Sequence, residues 1–251
     1  MKSIKHTLIA GLLVSIVGLG YANGNTQNNG GDDKKTDPKT KTIKISKGQV
    51  LDFLNAIRKP GTDDAMNEYF GKVFPPAQNY GFKLDVSFVT IAPPTQGNYH
   101  AQFFGVSSWV NEDGRKKFDN HKMDFDYKQA RREIWSVFNL AFYKDLKEDI
   151  EFTVSDDKLY VITSYWVDNM KAFKKAKNNT THNLVAAGGK QILSIGKGES
   201  PLGYYYEPDV VTITEWDTHE AFDAYLANNN ISSKENGIKN VQQLKTQALL
   251  Q

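Results

Sequence analysis

A junction of strand, tryptophan and helix recurs three times in this chain: SSWVNEDGRKKF at 107–118, SYWVDNMKAFKKA at 164–176 and TEWDTHEAFDAYL at 214–226. Each copy passes from strand-like residues through a Trp to an Asn or Asp that can cap a helix, then into an amphipathic stretch. One supersecondary unit repeated in this way implies internal duplication, which restricts the fold more than any single residue does. It does not specify a reaction.

The segments around these junctions follow one order. Residues 48–58, GQVLDFLNAIR, form a first strand ended by Pro60-Gly61. Thr62 or Asp63 then caps a helix whose Met66, Tyr69, Phe70, Val73 and Phe74 share one face. Pro75-Pro76 is expected to break or kink it. Phe82, Leu84, Val86 and Phe88 alternate with polar residues, the period of a strand with one buried face. Residues 100–109 form a third strand, and Asn111 caps a short helix containing Phe118. In the second half, a strand at 158–167 leads to a helix capped by Asp168 and stopped by Gly188-Gly189. Strands follow at 190–196 and 209–216, and Asp217 with Glu220 makes a capping box for the next helix.

Each half therefore reads strand–helix–strand, then strand–helix, and needs one more strand. IEFTV at 150–154 is the candidate for the first half; for the second the assignment is open. Between the halves, Ile134, Val137, Phe138, Ala141 and Phe142 recur at helical spacing, which predicts a connecting helix within 126–149. Val241, Leu244, Ala248 and Leu249 predict a C-terminal tail helix within 229–251.

The N-terminus reads as a secretory signal peptide over 1–22, with Lys2 and Lys5 ahead of the 13-residue run LIAGLLVSIVGLG and cleavage after Ala22. That run is shorter than the roughly 20 apolar residues that span a bilayer, so no membrane insertion is expected after cleavage. Residues 23–43 are polar at the start and read as a flexible linker. The repeats are then expected at 44–125 and 150–228. Without the signal the chain carries 29 basic and 29 acidic residues, so nothing drives phosphate binding and nucleic acid is not an expected partner. There is no Cys, which excludes thiolate chemistry and leaves core burial to hold an exported domain together. The expected location is periplasmic or secreted.

TEWDTHEAFDAYLANN at 214–229 resembles the last strand and helix of the dimeric α/β-barrel superfamily, and NYGFKLDVSF and AAGGKQILSI resemble its helix–Gly–strand step. The resemblance implies an α+β fold: two ferredoxin-like repeats whose antiparallel sheets pack as a barrel within one chain, as monomer or homodimer. A four-stranded sheet with helices on one face leaves its other face to be buried, and stacking two such sheets achieves that. The resemblance also implies a ligand pocket between sheet and helices.

Composition offers candidates for such a pocket. Asn55, Trp109, Tyr165, Trp166, Tyr205 and Trp216 are the aromatic and amide groups that could hold a small apolar or aromatic molecule. The four His of the mature chain have no short metal-ligand spacing, so no metal site is expected. The chlorite dismutase-like haem proteins, which the tandem repeat resembles, draw an axial His from the helix region where His182 lies. Their distal Arg has no counterpart here, since the following strand offers Lys190 and Gln191. The leading expectation is a cofactor-free, stress-related small-molecule-binding protein. The alternatives are a cofactor-free or haem-dependent oxidoreductase, monooxygenase-like or chlorite dismutase-like, and a non-catalytic interaction scaffold.

Overall fold

The computed structural model describes residues 37–201 and 206–250. The signal peptide, most of the linker and Tyr205 lie outside them. No helix among the described residues is long and apolar enough to cross a membrane.

The first repeat comprises β2 (Val50–Arg58), α1 (Asp63–Asn79), β3 (Phe82–Thr90), β4 (Phe103–Trp109), α2 (Glu112–Asp119), α3 (Tyr127–Ile134) and β5 (Trp135–Tyr143). The second comprises β7 (Leu159–Val167), α4 (Met170–Ala186), β8 (Lys190–Ile195), β9 (Val210–Trp216), α5 (His219–Asn229) and β10 (Ile238–Leu249). A two-stranded antiparallel ribbon, β1 (Thr40–Ile45) with β6 (Ile150–Ser155), stands apart from both.

The strand order in the main sheet is β5-β2-β4-β3-β10-β7-β9-β8. Each half has the fourth strand beside the first and the third between first and second, the ferredoxin-like arrangement. The halves join where Ser87–Thr90 of β3 pair with Thr246–Leu249 of β10. The opposite edges meet through one antiparallel bridge, in which the Phe142 and Glu199 amides each donate to the other's carbonyl at 2.9 and 2.8 Å. The eight strands thus curl into a barrel whose last seam, from β5 to the segment following β8, is held by this bridge rather than by continuous strand pairing.

The barrel interior is packed rather than hollow. Leu51, Phe53, Phe88 and Phe104 of the first repeat meet Tyr160, Ile162, Leu193 and Ile213 of the second. Ile43, Ile45, Phe152 and Val154 of the ribbon join the same cluster, so β1–β6 stoppers one end. The linker assignment is corrected accordingly: Thr40–Ile45 is a strand, because Ile43 and Ile45 are buried against the barrel.

Two predicted helices are strands. The connecting helix stops at Ile134, and Trp135–Tyr143 is β5, paired with β2. Its aromatic-rich sequence suits a pleated surface, and Ala141 and Tyr143 face the interior while Phe138 and Phe142 face the helices. The tail helix is β10, wedged between β3 and β7. Both of its faces are buried, with Val241 toward Phe173 of α4 and Ala248 in the barrel core. A strand covered on both sides need not alternate, so its apolar residues can mimic a helical period.

IEFTV is a strand, but it pairs with β1; the fourth strand of the first repeat is β5. The α1 helix continues through Pro75 and Pro76, with Val73 and Ala77 both buried against the sheet. The caps of α4 and α5 fall one residue beyond their predicted places, at Asn169 and Thr218 instead of Asp168 and Asp217. Asn169 Oδ1 accepts from the Ala172 amide, and Thr218 Oγ1 from the Ala221 amide.

Candidate functional site in the first repeat

Between the outer face of the first repeat's sheet and its helices lies an aromatic cluster. Tyr69 and Phe70 of α1, Phe118 of α2, and Trp109 and Trp135 of the sheet are all buried in it. A cavity of about 100 Å³ opens within this cluster. Its walls are mostly apolar, with Phe74, Phe82, Phe103 and Phe138 among them. Gly105 lies on its sheet wall, where an added Cβ would have Leu54 and Leu84 as its nearest neighbours, at ordinary contact distance.

Two carboxylates line this space, Asp52 and Asp119, and Asp52 is the more deeply buried. Asp52 sits in β2 between Leu51 and Phe53, which point into the barrel, so its own side chain points to the helices. It is 3% exposed. Trp109 Nε1 donates to Asp52 Oδ2 at 2.9 Å and Arg115 Nε donates to Oδ1 at 3.2 Å. The guanidinium continues to Asp119 Oδ2 at 2.8 Å and lies over the Phe142 ring, 4.1 Å from its centroid. Arg115 is itself 5% exposed. Burial raises the Asp52 carboxyl above the usual carboxylate range, with Arg115 and Trp109 opposing that shift. A second arginine, Arg131 of α3, donates from Nε to the Tyr69 hydroxyl at the far wall and stacks over Phe138 at 4.6 Å.

Local sequence explains how Arg115 is delivered. Asn111 Oδ1 caps α2 by accepting from the Gly114 amide at 2.8 Å. Gly114 lets the helix approach the Tyr80 carbonyl, which would lie only 2.4 Å from a Cβ at that position. Arg115 follows directly.

The second repeat lacks this constellation. Val50 pairs with Trp109 and Leu159 with Trp216, so Val161 occupies the place of Asp52. Phe222, six residues after its Trp as Arg115 is after Trp109, replaces the arginine. Trp216 Nε1 instead donates to Thr214 Oγ1 at 2.9 Å. The polar site is an addition to the duplicated scaffold.

The residues singled out from sequence do not converge. Trp109 is in the first cavity, while Tyr165 and Trp216 line a different cavity in the second repeat. Asn55 and Trp166 face the barrel interior. There Asn55 Oδ1 accepts from Asn139 Nδ2 at 3.1 Å, and Trp166 stacks edge-on to Tyr206. The Tyr206 hydroxyl is 2.7 Å from Ser164 Oγ, and burial pushes it up to about 12. His182 is exposed on the outer side of α4 and does not line the cavity beneath that helix. The haem-axial candidate therefore does not face that cavity. No group of three or more His, Asp or Glu suited to a metal occurs among the described residues. Asp52 and Arg115 were missed. The available signal was a lone charge in the apolar run VLDFL.

No family model matches the sequence, and no curated protein does. Among solved structures, an anthrone oxidase-like protein is similar at 13% identity and a TM-score of 0.52, over 83% of this chain and 95% of that one. Chlorite dismutase from Candidatus Nitrospira defluvii in complex with imidazole matches at 12% identity and a TM-score of 0.48, over 81% and 92% of the two chains. The first likeness and the strand order agree: this chain has the α+β fold of a dimeric α/β-barrel built from two ferredoxin-like repeats in tandem.

Proposed function

We propose that the protein binds a small, flat, apolar or aromatic molecule carrying a hydroxyl group in the cavity of the first repeat. The observation that carries this reading is the buried Asp52 carboxylate at the edge of a mostly apolar cavity. Aromatic walls supply most of the binding free energy in such sites, and a few placed polar groups fix orientation. A phenolic or enolic hydroxyl is the natural donor to Asp52.

The test is a thermal-shift and calorimetric screen of hydroxylated naphthalene- and anthracene-type compounds. A true ligand at a hundredfold excess over its Kd stabilises the fold by about 2.7 kcal/mol. Gly105→Val, at a position where an added Cβ stands at ordinary contact distance from Leu54 and Leu84, narrows the cavity and is expected to abolish that stabilisation, with circular dichroism melting as the control for folding of the variant. Unchanged binding in Gly105→Val would move the ligand elsewhere.

A second reading has one observation in its favour. A carboxylate whose pKa is raised by burial suits proton abstraction. Asp52 would take the proton of an acidic C–H or O–H bond and leave an enolate or phenolate, which dioxygen could then oxidise. Asp52→Asn keeps the shape and removes the base. Turnover lost with binding retained supports this chemistry; turnover retained in Asp52→Asn eliminates it.

A further inference from the structure

Basic and acidic residues balance along the chain beyond the signal segment, 29 of each, but they are not evenly placed. The α4 helix, MKAFKKAKNNTTHNLVA, holds four lysines and no acidic residue over 17 positions. Phe173 and Ala176 are buried toward the sheet. At about 3.6 residues per turn, Met170, Lys171, Lys174, Lys175, His182 and Val185 fall on the opposite side, and all six are exposed.

Lysines on the helices of the first repeat have an acid one turn earlier: Lys72 pairs with Glu68, Lys116 with Glu112 and Lys117 with Asp113. One turn before Lys171, Lys174 and Lys175 stand Val167, Met170 and Lys171. None of the three forms an ion pair among the described residues. Lysine in a first turn also opposes the helix dipole. Where α1, α2 and α5 place Asp63, Glu112 and Glu220, α4 places no acid. These lysines therefore do nothing for the helix that carries them. Met170 and Val185, 37% and 66% exposed, are two of the four large apolar side chains left exposed among the described residues. They bracket the lysines along roughly 22 Å of helix.

We propose that the outer face of α4 docks on an anionic phospholipid surface, lying flat with Lys171, Lys174 and Lys175 over the headgroups and Met170 and Val185 pressed toward the acyl boundary. A bilayer offers negative charge as a continuous plane, which suits lysines without a fixed partner and needs no groove. A second copy does not fit, because two such faces would repel each other. The contact is adsorption rather than insertion, since no described helix is long and apolar enough to cross a membrane. It is independent of the first-repeat cavity and does not rest on its reading.

The test is co-sedimentation with vesicles at millimolar lipid. It uses the mature chain, freed of the apolar run at 8–20 that would partition into lipid on its own. Equimolar phosphatidylglycerol and phosphatidylcholine vesicles should bind it and pure phosphatidylcholine vesicles should not. Salt at about 1 M, where the Debye length falls to about 3 Å, should release it. Each lysine near an anionic surface adds about fivefold to partitioning, so Lys171→Gln, Lys174→Gln and Lys175→Gln together should weaken binding about 100-fold. Lys171→Arg, Lys174→Arg and Lys175→Arg should keep it. Removing the same charge from paired lysines, by Lys72→Gln, Lys116→Gln and Lys117→Gln, should change it less than about threefold. Circular dichroism melting controls for folding of each variant. The proposal is overturned if the phosphatidylglycerol vesicles do not bind the parent, if pure phosphatidylcholine binds equally, or if the two glutamine variants lose binding equally. A folded α4 glutamine variant that binds like the parent also overturns it. Soluble polyglutamate bound in place of the anionic vesicles would overturn it in favour of an acidic protein.

Discussion

Replacing Arg115 by Met is expected to cost about 3–5 kcal/mol of folding stability near neutral pH, the usual penalty for stranding one member of a buried ion pair. Asp52 would keep its Trp109 hydrogen bond but lose the cation that offsets its burial. The pH dependence follows from the direction of the Asp52 shift. A carboxyl raised in the folded state contributes stability below its unfolded pKa, and that contribution is lost as pH rises through the folded pKa. Removing Arg115 raises the folded pKa further, so the deficit should be larger at pH 7.5 than at pH 5. Urea unfolding at both pH values measures it. The double change Arg115→Met with Asp52→Asn should recover a large part of the loss. An equal deficit at both pH values would show that Arg115 acts through packing on Phe142 rather than through charge.

Thr246→Pro should disrupt the barrel. Thr246 is 0% exposed and lies between Thr90 of β3 and Tyr160 of β7. Its hydroxyl also donates to the Tyr160 carbonyl at 3.0 Å. Proline deletes a ladder donor and does not suit a central strand, at a cost of at least about 3 kcal/mol. The effect is magnified by position. Among the described residues, β3–β10 is the continuous strand pairing between the repeats, whereas the other seam is a single bridge. Equilibrium unfolding and amide exchange of β7 and β10 would record the change. Parent-like stability would place 238–249 outside the closed sheet.

Much of the fold was legible where a segment has one buried face. The five apolar residues of α1 are imposed by one-sided burial, whereas β3 forms where predicted but does not keep one buried face: a bulge at Asp85 sends Phe82 and Leu84 to the helix side and Val86 and Phe88 into the barrel. Asn111 was readable as a cap because its side chain acts three residues away. The segments read wrongly were those buried on two faces, β5 and β10, or paired to a distant strand, as β1 is to β6. Local periodicity carries no information about a second covering layer. The site was less legible than the fold for a related reason. Aromatic residues stand out in composition, but Trp109, Trp166 and Trp216 lie in three different compartments.

The sequence alone determined the duplication, the mixed α+β class and the helix-capped Trp junctions, because each follows from residues close together along the chain. Tertiary structure alone decided which carboxylate became a site. Asp52 meets Trp109 and Arg115 across 57 and 63 residues, and its altered chemistry arises from their shared removal from water. Tertiary structure also decided that the two repeats would differ, with one cavity mostly apolar around a carboxylate and the other floored by Thr163, Thr212 and Thr214 of the sheet. Burial and juxtaposition are properties of the closed barrel, and no short stretch of chain encodes them.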